Sequence, residues 1–306
     1  MNSIDSQKTL QHFILTRFNL LLWNKDKAGA KVRSIKWLDH RFTLFEKYCL
    51  PSIKSQTCQV FDWIVLFDSS TPEKYKTRIV EYQKECPQFN PVFVEPENGR
   101  YFAEIFRREI VKRINVNLLE TCGTSEQARA NDNENERRVL STYLDNDDVL
   151  NVRFVEDLQH RALEVSIGTF INYNGGYQYY SEDGYLMRIH YPTNHFISVV
   201  ENGNPASIKG IFGYGGHSHI RNIEGVRIEH LKNLPMWCEV VHGKNMINDA
   251  YFLKAKMVKD EDILKHEFGI NAVVKSGWWI YTFKFLPRYA KTFVRRAKEH
   301  LFGRKW

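Results

Sequence analysis

The sequence predicts an α/β fold: a mostly parallel sheet flanked by helices, with a basic helical appendage at its C-terminal end. Three observations carry this. Short apolar runs alternate with amphipathic stretches from residue 12 to residue 165, the β-α-β-α order of a sheet covered on both faces. Each apolar run closes in polar residues, which puts them on one rim, where open α/β sheets bind ligands. The composition is that of an ordinary globular chain, 43% hydrophobic and 26% charged over 306 residues, which excludes disorder, collagen and coiled coil.

The elements follow in order. HFILTRF (12–18) is a buried strand. After a polar loop, 35–56 sets Trp37, Leu38, Phe42, Phe45 and Leu50 at helical spacing, with Pro51 breaking or kinking the helix near its end. FDWIVLFDSS (61–70) is a second strand, stopped by Asp68, Ser69, Ser70 and Pro72. A solvated helix over 72–85 and a third strand over 90–96 come next. Residues 103–121 carry Ile105, Phe106, Ile110, Ile114 and Leu118 on one helical face, whereas 123–137 has no apolar pattern and reads as a mobile surface loop. A fourth strand over 137–148 ends in an acidic cluster, followed by a helix over 152–165. From 169 the texture alternates, with Asn174-Gly175-Gly176 and Glu182-Asp183-Gly184 expected as hairpin turns, and 196–201 as another strand. The end, 283–306, is a basic helix with Phe285, Tyr289, Phe293, Ala297 and Leu301 about one turn apart. These features divide the chain into a sheet domain, 1–250, and a helical, basic tail, 251–306.

Other limits concern location and partners. No stretch approaches the roughly 18 apolar residues of a spanning helix. The start, MNSIDSQKTLQH, lacks the basic and apolar regions of a secretory signal. The five cysteines are scattered and form no CxxC pair, which fits free thiols in a reducing cytoplasm. The net charge is +7, and Lys284 onward holds eight basic residues against Glu299, also +7. Charge gathered in one tail argues against nucleic acid. It suits peripheral contact of 284–306 with an anionic inner membrane face. A solvated helix packed on the domain is the equal alternative.

The residues that carry chemistry lie on the expected rim. Asp145, Asp147 and Asp148 are crowded at a strand end, where mutual repulsion favours a hard divalent cation, Mg2+ or Mn2+. The plain alternative is that Asp147 or Asp148 caps the next helix. Asp68 would accept from a nucleobase N–H or ribose hydroxyls, or else close an Asx turn before Pro72. Arg17, Arg100, Arg107 and Arg108 have the forked geometry for a pyrophosphate, with surface ion pairs the rival reading. His242, ending an apolar run before Gly243, would complete a metal site or contact phosphate, with Lys244 beside it. His217 and His219 read mainly as loop polarity.

Taken in order, HFILTRFN, the R-F-x-L-F-E-x-Y-x-L-P-S-I-x-x-Q stretch (41–56), FDWIVLFDSSTP, LDNDD and MWCEVVHGKN resemble the rhamnosyltransferase family of bacterial polysaccharide enzymes. That family is similar to inverting GT-A-type glycosyltransferases. The resemblance, from about residue 12 to 250, implies a Rossmann-like GT-A domain, a nucleoside-diphosphate sugar donor and a D-x-D metal site. By it, Asp145 and Asp147 match the D-x-D, with Asp148 following and Asn146 replacing the usual small residue. Asp68 matches the aspartate that holds the base, Thr16 and Arg17 the first nucleotide-side positions, and Asn98-Gly99 with Arg107 the N-x-G…R segment. His242 falls in the W…HG-x-N signature. The expected activity is metal-dependent transfer of a sugar, rhamnose the candidate, with inversion, to a polysaccharide or lipid-linked glycan acceptor.

The expected metal ligands are then Asp145, Asp147 and His242. Thr16, Arg17, Asp68, Asn98, Arg107 and Asp145 contact the nucleotide sugar, and Glu239 and Asp249 are the candidate bases. The rival class is a nucleotide- or glycan-binding module without turnover. The metal expectation requires that the 145–148 carboxylates face a cavity with Asp68 and Arg17 instead of lying buried in ion pairs.

Overall fold

A computed structural model describes residues 9–22, 32–122, 137–192, 194–232, 234–242, 255–287, 289–290, 293–294 and 297. Its first half runs β1 (Leu10–Arg17), α1 (Ile35–Leu44), α2 (Leu50–Lys54), β2 (Asp62–Asp68), α3 (Glu73–Glu85), β3 (Phe89–Val94), α4 (Phe102–Cys122) and β4 (Arg138–Tyr143). Then come β5 (Val149–Leu150), α5 (Phe154–Glu164), β6 (Thr169–Tyr173), β7 (Gly175–Tyr180), β8 (Tyr185–His190) and β9 (Ile197–Asn202). The remainder is α6 (His217–Ile220), β10 (Arg227–Leu231), β11 (Trp237–Val241), β12 (Lys256–Met257), α7 (Ile263–Phe268) and α8 (Trp278–Ile280). The segment 123–136, expected as a loop, and Asp249 lie outside the described residues.

The strands form two sheets. The seven-stranded sheet has the order β10-β6-β9-β4-β1-β2-β3, and the five-stranded sheet β12-β8-β7-β11-β5. Strands β4, β1, β2 and β3 are mutually parallel, as the alternating pattern predicts. β9 runs antiparallel to both β4 and β6. The parallel strands are covered on both faces, which is why they read as unbroken apolar runs. Trp63, Val65 and Phe67 of β2 face one core with Phe42, Phe45 and Phe89. Ile64 and Leu66, the alternate positions, face the other with Phe106 and Ile110 of α4. A third cluster joins the five-stranded sheet to α7 through Tyr177, Leu186, Val240, Leu264 and Phe268.

Two local expectations change. The helix from Ile35 is not broken at Pro51: it widens into a π turn over Phe45–Cys49 and continues to Lys54. The Leu50 N–H bonds the Phe45 carbonyl. The wider turn takes up the missing donor and bulky ring of Pro51, which an α-helical turn would not tolerate. Asn174-Gly175-Gly176 is not a hairpin turn. β6 and β7 belong to different sheets, and these three residues are the corner where the chain passes between them. Gly176 is required there by contact, since a Cβ would overlap the Trp237 indole. Glu182-Asp183-Gly184 does turn the β7–β8 hairpin, with Gly184 at φ +76°.

The fourth strand also ends early, at Tyr143. Asp145 to Asp148 form the turn from the large sheet into β5, which pairs with β11 in the small one. The acidic cluster therefore sits at the joint between the sheets, where side chains from both can reach it.

Candidate active site

The carboxyl ends of β1 and β4 bring Arg17 and Asp145 to one small cavity. Arg17, ending β1, points its guanidinium among the rings of Phe102, Tyr143 and Phe212, with centroids 4.8, 5.5 and 5.0 Å away. Its Nη2 donates to the Tyr143 hydroxyl at 2.8 Å, and that hydroxyl donates to Asp145 Oδ1 at 2.8 Å. Burial, with the Asp145 charge adding to it, holds the Tyr143 phenol far above its ordinary range, so it stays a donor. A small cavity beside this relay is lined by Arg17, Trp37, Arg41, Asp145 and Asn146, among others.

The two acids that follow are held differently. Asp147 Oδ2 accepts from Arg41 Nη1 at 2.6 Å and lies 2.9 Å from His242 Nε2. Burial opposes its charge, but Arg41 and His242 prevail and hold the carboxyl well below the usual range. Asp148 Oδ2 lies 2.7 Å from His195 Nε2, while its Oδ1 accepts from the Val240 N–H at 2.9 Å. Burial, then the charges of Asp147 and Glu239, push the Asp148 carboxyl up to about 8 against the pull of His195. His195 is raised despite burial by Asp148 and Asp145.

His195 Nε2 is also 3.9 Å from Asp145 Oδ2. One donor atom each from Asp145, Asp148 and His195 lies within 4.8 Å of the others, the one such cluster among the described residues. The fold thus gathers a different trio from Asp145, Asp147 and His242. Of the acids, Asp145 shares a cavity with Arg17, Asp147 is locked in an ion pair, and Asp68 is not among the lining residues of that cavity.

The remaining candidates are placed as follows. Asp68 is buried, accepts from the Ser70 N–H at 2.9 Å and pairs with Arg33, so it does close an Asx turn. Thr16 turns into the interior, where its hydroxyl accepts from Trp63 Nε1 at 2.9 Å. Asn98 lines a separate cavity of about 520 Å³ between β3 and α4, with Phe93, Tyr101 and Glu104. Arg107 donates to the Ile208 carbonyl at 3.0 Å and pairs with Glu104. Glu239, on β11, is 7% exposed and accepts from Gln178 Nε2 at 2.5 Å, its carboxyl raised by burial. His217 sits with its ring 6.0 Å from that of His195, and His219 is exposed.

The residues that sequence reasoning passed over are Arg41, Tyr143 and His195. Arg41 opens the 41–56 motif, and its one-turn spacing from Trp37, whose ring it overlies at 5.4 Å, is a legible signal. His195 carries no periodic signal, because only the joint between the sheets brings it to Asp148.

Residues 11–119, which carry β1 to α4, match the family described as "Putative rhamnosyl transferase". No curated protein matches the chain. Among solved structures, the chain is similar to Staphylococcus aureus TarS 1–349 in complex with UDP, at 11% identity and a TM-score of 0.41. That alignment covers 76% of this chain and 60% of that one. It is also similar to the same fragment without UDP, at 11% identity and TM-score 0.37, over 75% and 60% of the two chains. The chain thus spans about three-fifths of the length of these structures. The segment that matches the family covers about a third of the chain, and the whole is a mixed α/β fold around a mostly parallel central sheet.

Proposed function

We propose that the chain moves a sugar, rhamnose the candidate, from a nucleoside-diphosphate donor to a glycan or lipid-linked glycan acceptor. The observation that carries this is the convergence of Arg17, Arg41 and the Asp145–Asp148–His195 trio at the joint of the two sheets. Two carboxylates and an imidazole fit a divalent cation, and the nitrogen donor favours Mn2+ over Mg2+. A cation held there supplies charge neutralisation to the departing diphosphate.

The other roles belong to side chains. The Arg17 and Arg41 guanidiniums bind the donor's phosphates, with Tyr143 fixing Arg17 in place. Asp68, at the end of β2 and paired with Arg33, is the candidate for the nucleoside. Inversion needs a carboxylate within about 3 Å of the acceptor hydroxyl. Glu239 and Asp249 are the candidates, Glu239 standing next to the trio on β11.

A binding module without turnover draws on one observation: Asp147 and Asp148 already have partners within the fold. Thermal unfolding with UDP, GDP or dTDP, with and without Mn2+, separates the readings. Nucleotide at about a hundred times its Kd stabilises by about 2.7 kcal/mol. The transferase reading expects this only with Mn2+, together with slow hydrolysis of the matching nucleotide sugar. Mn2+-dependent binding without hydrolysis or transfer favours the module, and no nucleotide response defeats the transferase and leaves only a glycan-binding module.

A further inference from the structure

The segment from Gly277 to Tyr289 has two faces that differ in kind. α8 passes directly into a π turn over Tyr281–Phe285. One face is spent on the domain: Phe285 is buried, and Ile280 and Tyr289 pack against the main core. Lys284 Nζ pairs with Asp183 at 2.8 Å, tying the segment to the β7–β8 hairpin, and just ahead of it the Lys275 N–H donates to the Gly184 carbonyl at 2.6 Å. The other face is a cluster of rings in solvent. Trp278 is 73% exposed, Trp279 56%, Phe283 51% and Tyr281 44%. The Trp279 and Phe283 rings meet in a tilted contact with centroids 4.1 Å apart, and Trp278 is about 6 Å from both. Phe293 and Val294 are exposed further along.

A helix that has already satisfied its packing face has no internal reason to present four large rings outward. Contiguous exposed apolar surface marks an interaction site. Trp and Tyr, apolar in body with a polar edge, are the residues favoured at the boundary between water and lipid headgroups. What selects lipid over another partner is charge: the rings lead directly into the stretch from Lys284 with its +7. Such a polybasic run is drawn to an anionic leaflet. Among the described residues no helix is long and apolar enough to cross a membrane, so the segment would lie on the surface.

We infer that the Trp278–Phe283 ring cluster, together with the basic stretch that follows it, docks this protein on an anionic lipid bilayer. This is independent of the donor, the metal and the catalytic roles.

The test is flotation of the full chain with vesicles of phosphatidylcholine, with and without phosphatidylglycerol. The wild type floats with the anionic vesicles and stays behind with neutral ones. Trp278→Ala/Trp279→Ala lowers the bound fraction at least about tenfold, and each of Lys291→Gln, Arg295→Gln and Arg296→Gln lowers it about fivefold. Because the two tryptophans are exposed, the double variant melts with the wild type and keeps wild-type nucleotide response, so loss of flotation is not loss of fold. Equal flotation with neutral vesicles, or by the double tryptophan variant, overturns the inference. So does a wild type that fails to float; if size-exclusion chromatography also finds self-association lost in W278A/W279A, the face belongs to a second copy of the chain.

Discussion

The turn at 145–148 has two sides, built from adjacent residues and yet opposite in character. On one, Asp147 is neutralised by Arg41 and His242, a closed ion pair between α1 and the end of β11. On the other, Asp145 and Asp148 share one imidazole, His195, with Glu239 close enough to add its charge. The first side has enough positive charge and the second has too little. Asp147 therefore acts as a latch between layers, and Asp145 with Asp148 as the place where an added cation relieves repulsion.

Breaking the latch has the largest expected effect on stability. Arg41→Ala leaves Asp147 buried beside the other acids, and removing one partner of a buried pair costs about 3–5 kcal/mol. Urea denaturation checks this. A change under about 1 kcal/mol would place the Arg41–Asp147 pair among surface pairs of little consequence. The corner that seats β11 next to the turn comes second. Gly176→Ala pushes a methyl into the Trp237 ring, an overpacking penalty of about 1–3 kcal/mol. The same measurement reads it, and a neutral result would mean that the β6–β7 corner yields.

The smallest effect sharpens the comparison with an imidazole that has no acid beside it. His12 bonds Thr142 Oγ1 at 2.9 Å, and burial pushes it down to about 3, whereas carboxylates push His195 up. With the folded value below the ordinary 6.5, the unfolded chain binds the extra proton between these limits, so stability falls as pH drops below about 6.5. The slope is at most about 1.4 kcal/mol per pH unit. His12→Gln removes that component from a pH series of unfolding curves; an unchanged series would show that His12 is not held neutral.

Legibility in the sequence followed the range of the interactions. β1, β2, β3, α3 and α4 end within about two residues of the positions their periodicity suggests, because each is set by local apolar spacing and flanking polar stops. That Arg17 and Asp145 share a cavity followed from strand order, whereas Asp68, at the end of β2, is not among its lining residues. Asn174-Gly175-Gly176 misled because glycine serves close approach to Trp237 as readily as it serves a hairpin turn, and the letters are the same for both. The partition among Asp145, Asp147 and Asp148 could not be read, since it depends on Arg41 and His242 closing on one acid while His195 closes on the others. Those partners lie 47 to 106 residues away along the chain.

Mn2+ binding, followed by electron paramagnetic resonance with the metal alone and with a nucleoside diphosphate, tests the division most directly. Asp148→Asn, which keeps an oxygen for the Val240 N–H, should weaken Mn2+ binding at least about 10- to 100-fold, as loss of groups that hold or orient a metal does. Asp147→Asn should lose stability and keep its affinity for Mn2+. The reverse pattern, in which Asp147→Asn abolishes binding and Asp148→Asn leaves it intact, would contradict the account.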